Sequence, residues 1–300
     1  MIHYGVIVHG GAGSPSHFSD GCKVACESAF GFIEAGKSAL DAVVEAVRIL
    51  EDDGRFNAGY GSALRLDGKT VEMDASVMDS KGKIGIVIAI RNVKNPIQVA
   101  RAVLETPHVA LAGEGATAFA RKQGFAQFYK VSDYAMERYK EIKQKIKEGN
   151  LSGEDYRWKD YDIEKLWNYK SGSYKDILCD TVGSVAIDKK GMLAVANSTG
   201  GFSPMMQGRV GDSPMIGCGF YSGPACAVAT TGMGEEIIKK MLAKTVYDMV
   251  ANGKDIKKAC ELGIKMFSSE IKVGIIAISK EGYASMSNTG MASYTLTHFL

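Results

Sequence analysis

The feature that most constrains this chain is a pattern that occurs twice. Residues 62–93, "SALRLDGKTVEMDASVMDSKGKIGIVIAIRNV", carry strand-like apolar runs broken at Asp67-Gly68 and Lys81-Gly82. After a long charged interval the same grammar returns in "TVGSVAID", "GMLAVANST" and "ACAVATT". Short apolar runs divided by Gly-containing turns predict sequential antiparallel hairpins, with three strands in the first block. Each block is flanked by helical spacing. Residues 21–35 and 38–50 precede the first, with Ser38 as N-cap and Ala39, Val43, Val44, Val47 and Leu50 on one face. Helices over 96–105 and 114–123 follow it. Two more, over 235–251 and 256–267, follow the second and lead to a closing hairpin of "VGIIAIS" and "GYASMSN". A sheet apolar on both faces needs cover on both, so two mostly antiparallel sheets faced by helices predict an α+β fold. It is a four-layer αββα sandwich forming one domain over 1–300.

Between the blocks, residues 127–178 are charged and aromatic with little strand pattern, which predicts a mobile linker, helical at its start in "MERYKEIKQKIKEG". At the other end, a buried strand over 4–8 runs into "HGGAG" (9–13), where glycines predict a turn with close backbone approach.

Composition narrows the partners. With 300 residues and 46% hydrophobic content the chain can bury a large core, and a net charge of +2 supplies no field for nucleic acid or an anionic membrane. A small-molecule substrate is the expected partner. No uninterrupted apolar run approaches the roughly 18 residues of a membrane span. The first residues lack a basic segment, and Val6-Ile7-Val8 is short for a signal-peptide core, so secretion is not expected. Six cysteines without CxxC or zinc-type spacing read as reduced thiols in a cytoplasmic setting.

Several short strings acquire meaning from their order. "HGGAG", "FNAGYGS", "MDASVMD", "DTVGSVA", "STGG", "GRVGDSP" and "TTGMGE" follow one another as in isoaspartyl peptidase/plant-type L-asparaginases, and the chain resembles that family over nearly its whole length. The family belongs to the N-terminal nucleophile hydrolases, whose sandwich agrees with the layers above. The resemblance implies that the chain cuts itself between Asp180 and Thr181, giving an alpha chain 1–180 and a beta chain 181–300. A threonine at a new N-terminus carries a hydroxyl nucleophile and, on the same residue, an amine that can accept its proton. That amine titrates at about 7.7–8.0, so a useful fraction is neutral near pH 7.

The same resemblance implies the remaining roles. Thr199 orients the nucleophile, Thr231 and Gly232 form an oxyanion hole, and Asn57 serves the oxyanion region. Arg209 and Asp212 hold the α-carboxylate and α-amine of an aspartyl unit; a planar guanidinium suits the first. No organic cofactor is implied, but a structural sodium ion on the carbonyls of Leu50, Glu51, Asp53, Phe56, Ala58 and Tyr60 is, as is a homodimer of processed alpha/beta pairs. The implied activity releases L-aspartate from L-asparagine or β-aspartyl dipeptides through a Thr181 acyl-enzyme. Aspartylglucosaminidase is a related alternative, and an unprocessed aspartyl-binding protein is one of another class. The chain departs from the family at Asn197, where Thr is usual, at Phe202-Ser203-Pro204, and at Lys272-Val273-Gly274.

Overall fold

The computed structural model describes residues 1–65, 67–148, 178–179, 181–203 and 205–299. Asp180 and residues 149–177 of the expected linker therefore lie outside the described residues.

One sheet is built around β1 (Ile2–Ala12), which pairs antiparallel with β6 (Val182–Ile187) on one side and β13 (Met291–Phe299) on the other. The sheet continues from β6 through β7 (Leu193–Thr199), β2 (Met73–Asp79) and β3 (Ile84–Ile90) to a short parallel edge strand, β4 (Ala110–Ala112). The second sheet runs β12 (Tyr283–Ser287), β11 (Val273–Ile278), β10 (Ala227–Gly232), β9 (Phe220–Ser222), and a separate ribbon pairs β5 (Leu178–Cys179) with β8 (Phe202–Ser203).

Alternation sets the layers. Val182 and Ala186 of β6 face the first helical layer, whereas Val185 and Ile187 face the second sheet, as do Ile7, Leu193 and Val195. They meet Phe220, Ala227, Ala229, Ile276 and Ile278 from β9, β10 and β11. Burying each large apolar side chain is worth about 1.5–3 kcal/mol, and a one-residue slip would send every one of them to the wrong face. Register is therefore strongly specified along these strands.

The first sheet is covered by α1 (Ser19–Glu34), α2 (Ala39–Asp53) and α3 (Pro96–Val103), and the second by α7 (Leu242–Ala251) and α8 (Ile256–Lys265). This is the αββα sandwich expected. α2 starts as predicted: Ser38 Oγ accepts the Asp41 N–H at 3.2 Å while the Asp41 carboxylate accepts from Ser38 N, and Gly54 ends the helix at φ 78°.

Four local expectations change. Among its described residues the first block holds two strands, not three: around Asp67 the carboxylate accepts the N–H groups of Lys69 and Thr70 and closes a turn, while Arg65 is buried in an ion pair instead of alternating along a strand. "HGGAG" continues β1 up to Ala12 through a register shift after His9. The helix over 235–251 is two, α6 (Gly234–Lys240) and α7, broken at Met241 with φ 44°, because the carbonyls of Gly217 and Cys218 take the first N–H groups of α7. The closing hairpin is followed by β13, whose Tyr294 and Leu296 pack on the first helical layer.

Residues 127–148 of the expected linker include a docked helix, α5 (Asp133–Glu148), preceded by α4 (Gly113–Lys122). Ala135 and Ile142 are buried, and Ser132 donates through N to Tyr60 O at 3.2 Å and through Oγ to Gly54 O at 2.7 Å.

Candidate active site

The strand ends converge at one edge of the sandwich. Val182 pairs with Ser198 and Gly183 with Asn197, so Thr181 and Thr199 stand opposite one another across the β6–β7 ladder. Their side chains point inward, and Thr181 Oγ1 donates to Thr199 Oγ1 at 3.3 Å. Thr181 Oγ1 also lies 3.4 Å from Ser213 Oγ, a neighbour absent from the sequence reading although it directly follows Asp212 in "GDSP". Ser213 is itself held, because its carbonyl accepts the Ser76 hydroxyl of β2 at 2.6 Å. Three buried hydroxyls thus meet where the chain enters β6.

On the other flank, His9 of β1 is opposite Gly183 and fully buried. Its Nδ1 accepts the Gly11 N–H at 3.1 Å, and burial pushes its pKa down to about 3, so the ring is neutral. A Cβ on Gly183 would collide with both His9 Nε2 and Asn197 Oδ1, so the inner face there admits only glycine. Asn197, one of the departures from the family, spends its amide on Gly219 O at 2.7 Å.

Thr231 closes the site from the second sheet. It is fully buried, and its Oγ1 accepts the Ala12 N–H at 3.1 Å, tying β10 to the end of β1. Gly232 follows at φ 131°, where a Cβ would strike the Lys272 carbonyl.

The turn after Thr199 is braced from behind. Asn57 Oδ1 accepts Ala63 N at 2.8 Å, Nδ2 donates to Gly201 O at 2.5 Å, and the Asn57 carbonyl accepts Gly200 N. Asn57 therefore fixes the Gly200-Gly201 turn. Arg65, 1% exposed, donates to Gly200 O and Glu72 O, both at 3.1 Å. Glu72 in turn accepts Gly208 N at 2.8 Å, so one buried ion pair joins the Thr199 turn to the loop that carries Arg209.

That loop holds the charges. Asp212 is 3% exposed; burial pushes its pKa up to about 7, and the nearby Arg209 guanidinium partly counters this. Thr230 Oγ1 donates to its Oδ2 at 3.4 Å, and its main-chain carbonyl caps a tight turn by accepting Met215 N and Gly219 N. Arg209 Nη1 approaches the position a Cβ on Gly201 would occupy to 3.9 Å, so the anchor loop reaches the Thr199 turn. Arg209 also pairs with Glu235, four residues beyond Thr231, which sequence reasoning did not single out.

The loop from α2 to Tyr60 lies beside these braces. Leu50, Phe56 and Ala58 are buried, and the Asp53 carboxylate pairs with Arg55 Nε at 2.6 Å. Glu51 is fully buried, accepting from Ser198 Oγ at 2.6 Å and Ile97 N at 3.0 Å, and burial pushes its pKa up to about 8. No cluster of three His, Cys, Asp or Glu side chains among the described residues could hold a metal.

A family model described as asparaginase matches residues 2–298. The chain belongs to the asparaginase family. Similar proteins include the plant-type L-asparaginase of Pyrococcus horikoshii, 41% identical over 97% of this chain and 93% of the relative. The isoaspartyl peptidase/L-asparaginase of Rattus norvegicus is 41% identical over 92% of this chain and 80% of the relative, and that of Danio rerio is 38% identical. The asparaginase family gives the ordered motifs, "HGGAG" through "TTGMGE", a single context, and the structure brings residues of all seven strings into the contacts described. No helix among the described residues is long and apolar enough to cross a membrane.

Proposed function

We propose that this chain is an amidohydrolase that releases L-aspartate from L-asparagine and β-aspartyl dipeptides, after cutting itself between Asp180 and Thr181. The observation that carries the reading is the inward-facing hydroxyl of Thr181, 3.3 Å from that of Thr199 and beside the Arg209–Asp212 loop. In maturation Thr181 Oγ1 adds to the Asp180 carbonyl, the nitrogen leaves as an amine, and water hydrolyses the resulting ester. The products are a carboxylate at 180 and a free amine at Thr181.

In turnover that amine takes the hydroxyl proton as Oγ1 attacks the side-chain carbonyl of the substrate. Thr231 and the Gly232 N–H serve the developing oxyanion, and ammonia or the dipeptide's second residue leaves with the proton. Water then cleaves the acyl-enzyme. Arg209 takes the α-carboxylate and Asp212 the α-ammonium, which selects an aspartyl unit with both termini free. Incubating the purified protein with L-asparagine tests this: the gel should show fragments of 180 and 120 residues, with equimolar aspartate and ammonia formed. A chain that stays whole and releases no aspartate rejects the reading.

A structural sodium ion on the carbonyls of Leu50, Glu51, Asp53, Phe56, Ala58 and Tyr60 belongs to the same proposal. An all-oxygen donor set suits a hard cation. The Glu51 carbonyl stands 2.7 Å from where a Cβ on Gly59 would lie, and the Phe56 carbonyl crowds the same position on Gly61, so these oxygens open onto space that only glycine leaves. The Phe56, Ala58 and Tyr60 carbonyls each accept one backbone N–H, and a carbonyl oxygen has two lone pairs. The ion would stiffen the loop; a higher melting temperature in sodium chloride than in an organic-cation chloride at equal ionic strength is the check. We place the protein in the cytoplasm, supported by five buried free thiols among the described residues, as a homodimer of processed pairs, which sedimentation would show at twice 32.2 kDa.

A further inference from the structure

Arg209 has five N–H donors arranged around a rigid plane, and the structure shows how that plane is held. Nε donates to Glu235 Oε1 at 3.0 Å, and Nη2 lies 2.8 Å from the same oxygen. One carboxylate oxygen therefore covers the Nε side of the guanidinium. The flat face rests on the Phe202 ring, 4.2 Å from its centroid. Glycines allow this close fit: a Cβ on Gly211 would stand 2.8 Å from Nη1, and one on Gly234 would stand 3.0 Å from Nη2 and 2.8 Å from Asp212 Oδ1. Nη2 lies off the hydrogen-bond direction to Glu235 and finds no acceptor among the described residues. Face and Nε side are thus engaged, while the end-on Nη1/Nη2 pair is left for a second carboxylate in the two-bond geometry.

We propose that Glu235 is a positioning residue for substrate recognition: it pins the Nε side of Arg209 against Phe202, so that the end-on donors face the substrate's α-carboxylate beside Asp212. This rests on the reading of Arg209 and Asp212 as the aspartyl anchor. Glu235 is the second residue of α6, one glycine beyond the Thr231-Gly232-Met233 run, so the segment that lines the oxyanion region also sets the angle of the anchor. The Glu235 side chain is 37% exposed and that of Arg209 14%, and an ion pair this open adds little to folding stability. Its loss should be felt in binding.

The test uses Glu235→Gln, which keeps length and one hydrogen-bonding oxygen, and Glu235→Ala, which keeps neither, both as processed enzymes. KM for L-asparagine should rise about threefold in the first and about tenfold in the second, with kcat within about twofold, as for loss of binding shared by ground and transition states. Self-cleavage and melting temperature should match the parent. Arg209→Lys is run alongside. If it raises KM while Glu235→Ala does not, the positioning role is overturned and the anchor stands. If neither raises KM, the anchor reading itself falls. A joint loss of kcat and melting temperature in both Glu235 variants would make the residue structural and would also overturn the proposal.

Discussion

Thr181 and Thr199 meet because Val182 pairs with Ser198 in a hydrogen-bonded ladder, whereas Arg209 and Asp212 owe their places to a glycine-rich loop pinned by single contacts. The nucleophilic half of the site is neutral, inward-facing and set by register. The anchoring half is charged, set by an ion pair and an aromatic face. A ladder tolerates changes of side chain as long as alternation survives; a loop held by specific charges does not tolerate losing one. The two halves should therefore fail in different ways.

The largest expected effect lies in the nucleophilic half. Thr181→Ala should stay a single 300-residue chain and release no aspartate, while Thr181→Ser should still cut, more slowly because its unbranched side chain rotates away from attack geometry. Gel and aspartate assays read both. Full activity in Thr181→Ala would erase the distinction between the halves.

Next comes the anchor. Arg209→Lys loses a two-bond grip worth about 1.5–3 kcal/mol, so kcat/KM for L-asparagine should fall about 10- to 150-fold while self-cleavage proceeds. Slowed maturation in this variant would mean that the loop also serves the cutting reaction.

A third effect depends on pH. Asp212 faces Arg209, Glu235, Cys218 and the Thr230 hydroxyl, and its pKa of about 7 arises first from burial. Only the carboxylate can hold an α-ammonium, so KM for L-asparagine should fall as pH rises through about 7. Asp212→Asn should have a higher KM and lack this step. The Thr181 amine should appear instead in kcat, as a limb that rises with pH as the amine loses its proton. A step in KM that persists in Asp212→Asn would assign the titration elsewhere.

The smallest effect is expected at Ser213. Its hydroxyl stands 3.4 Å from Thr181 Oγ1, and a neutral contact is worth about 0.5–1.5 kcal/mol, so Ser213→Ala should lower kcat about 2- to 12-fold with KM unchanged. A loss as large as that of Thr181→Ala would move Ser213 into the reacting set.

What was legible in the sequence follows the same division. The alternation in "TVGSVAID" and "GMLAVANST", joined at Lys189-Lys190, suffices to set Thr199 opposite Thr181, because a hairpin fixes both by counting. The layers followed from which runs were apolar on both faces. Ser213 and Glu235 were not legible as site residues, since their roles depend on where a loop and a helix start cross in space. Their only signals are their places inside the "GRVGDSP" and "TTGMGE" strings. The break at Met241 was hidden for a similar reason: the carbonyls that replace its helical hydrogen bonds come from Gly217 and Cys218. β13 is readable in the alternation of "MASYTLTHF"; the helix of α5 is legible in "MERYKEIKQKIKEG", but its docking is not, because the charged composition conceals Ala135 and Ile142.

The facing pair of threonines also limits how such a gene can change. Eighteen positions separate them, and the parity of the strands between decides which layer each side chain enters. A codon inserted within β6 or β7 would turn one hydroxyl towards the helices and silence the site without touching a reactive residue, unless a bulge absorbed it. Added length is harmless only in the turn near Lys189, far from the reacting oxygen. A lineage can rewrite most letters of this hairpin more freely than it can alter their number.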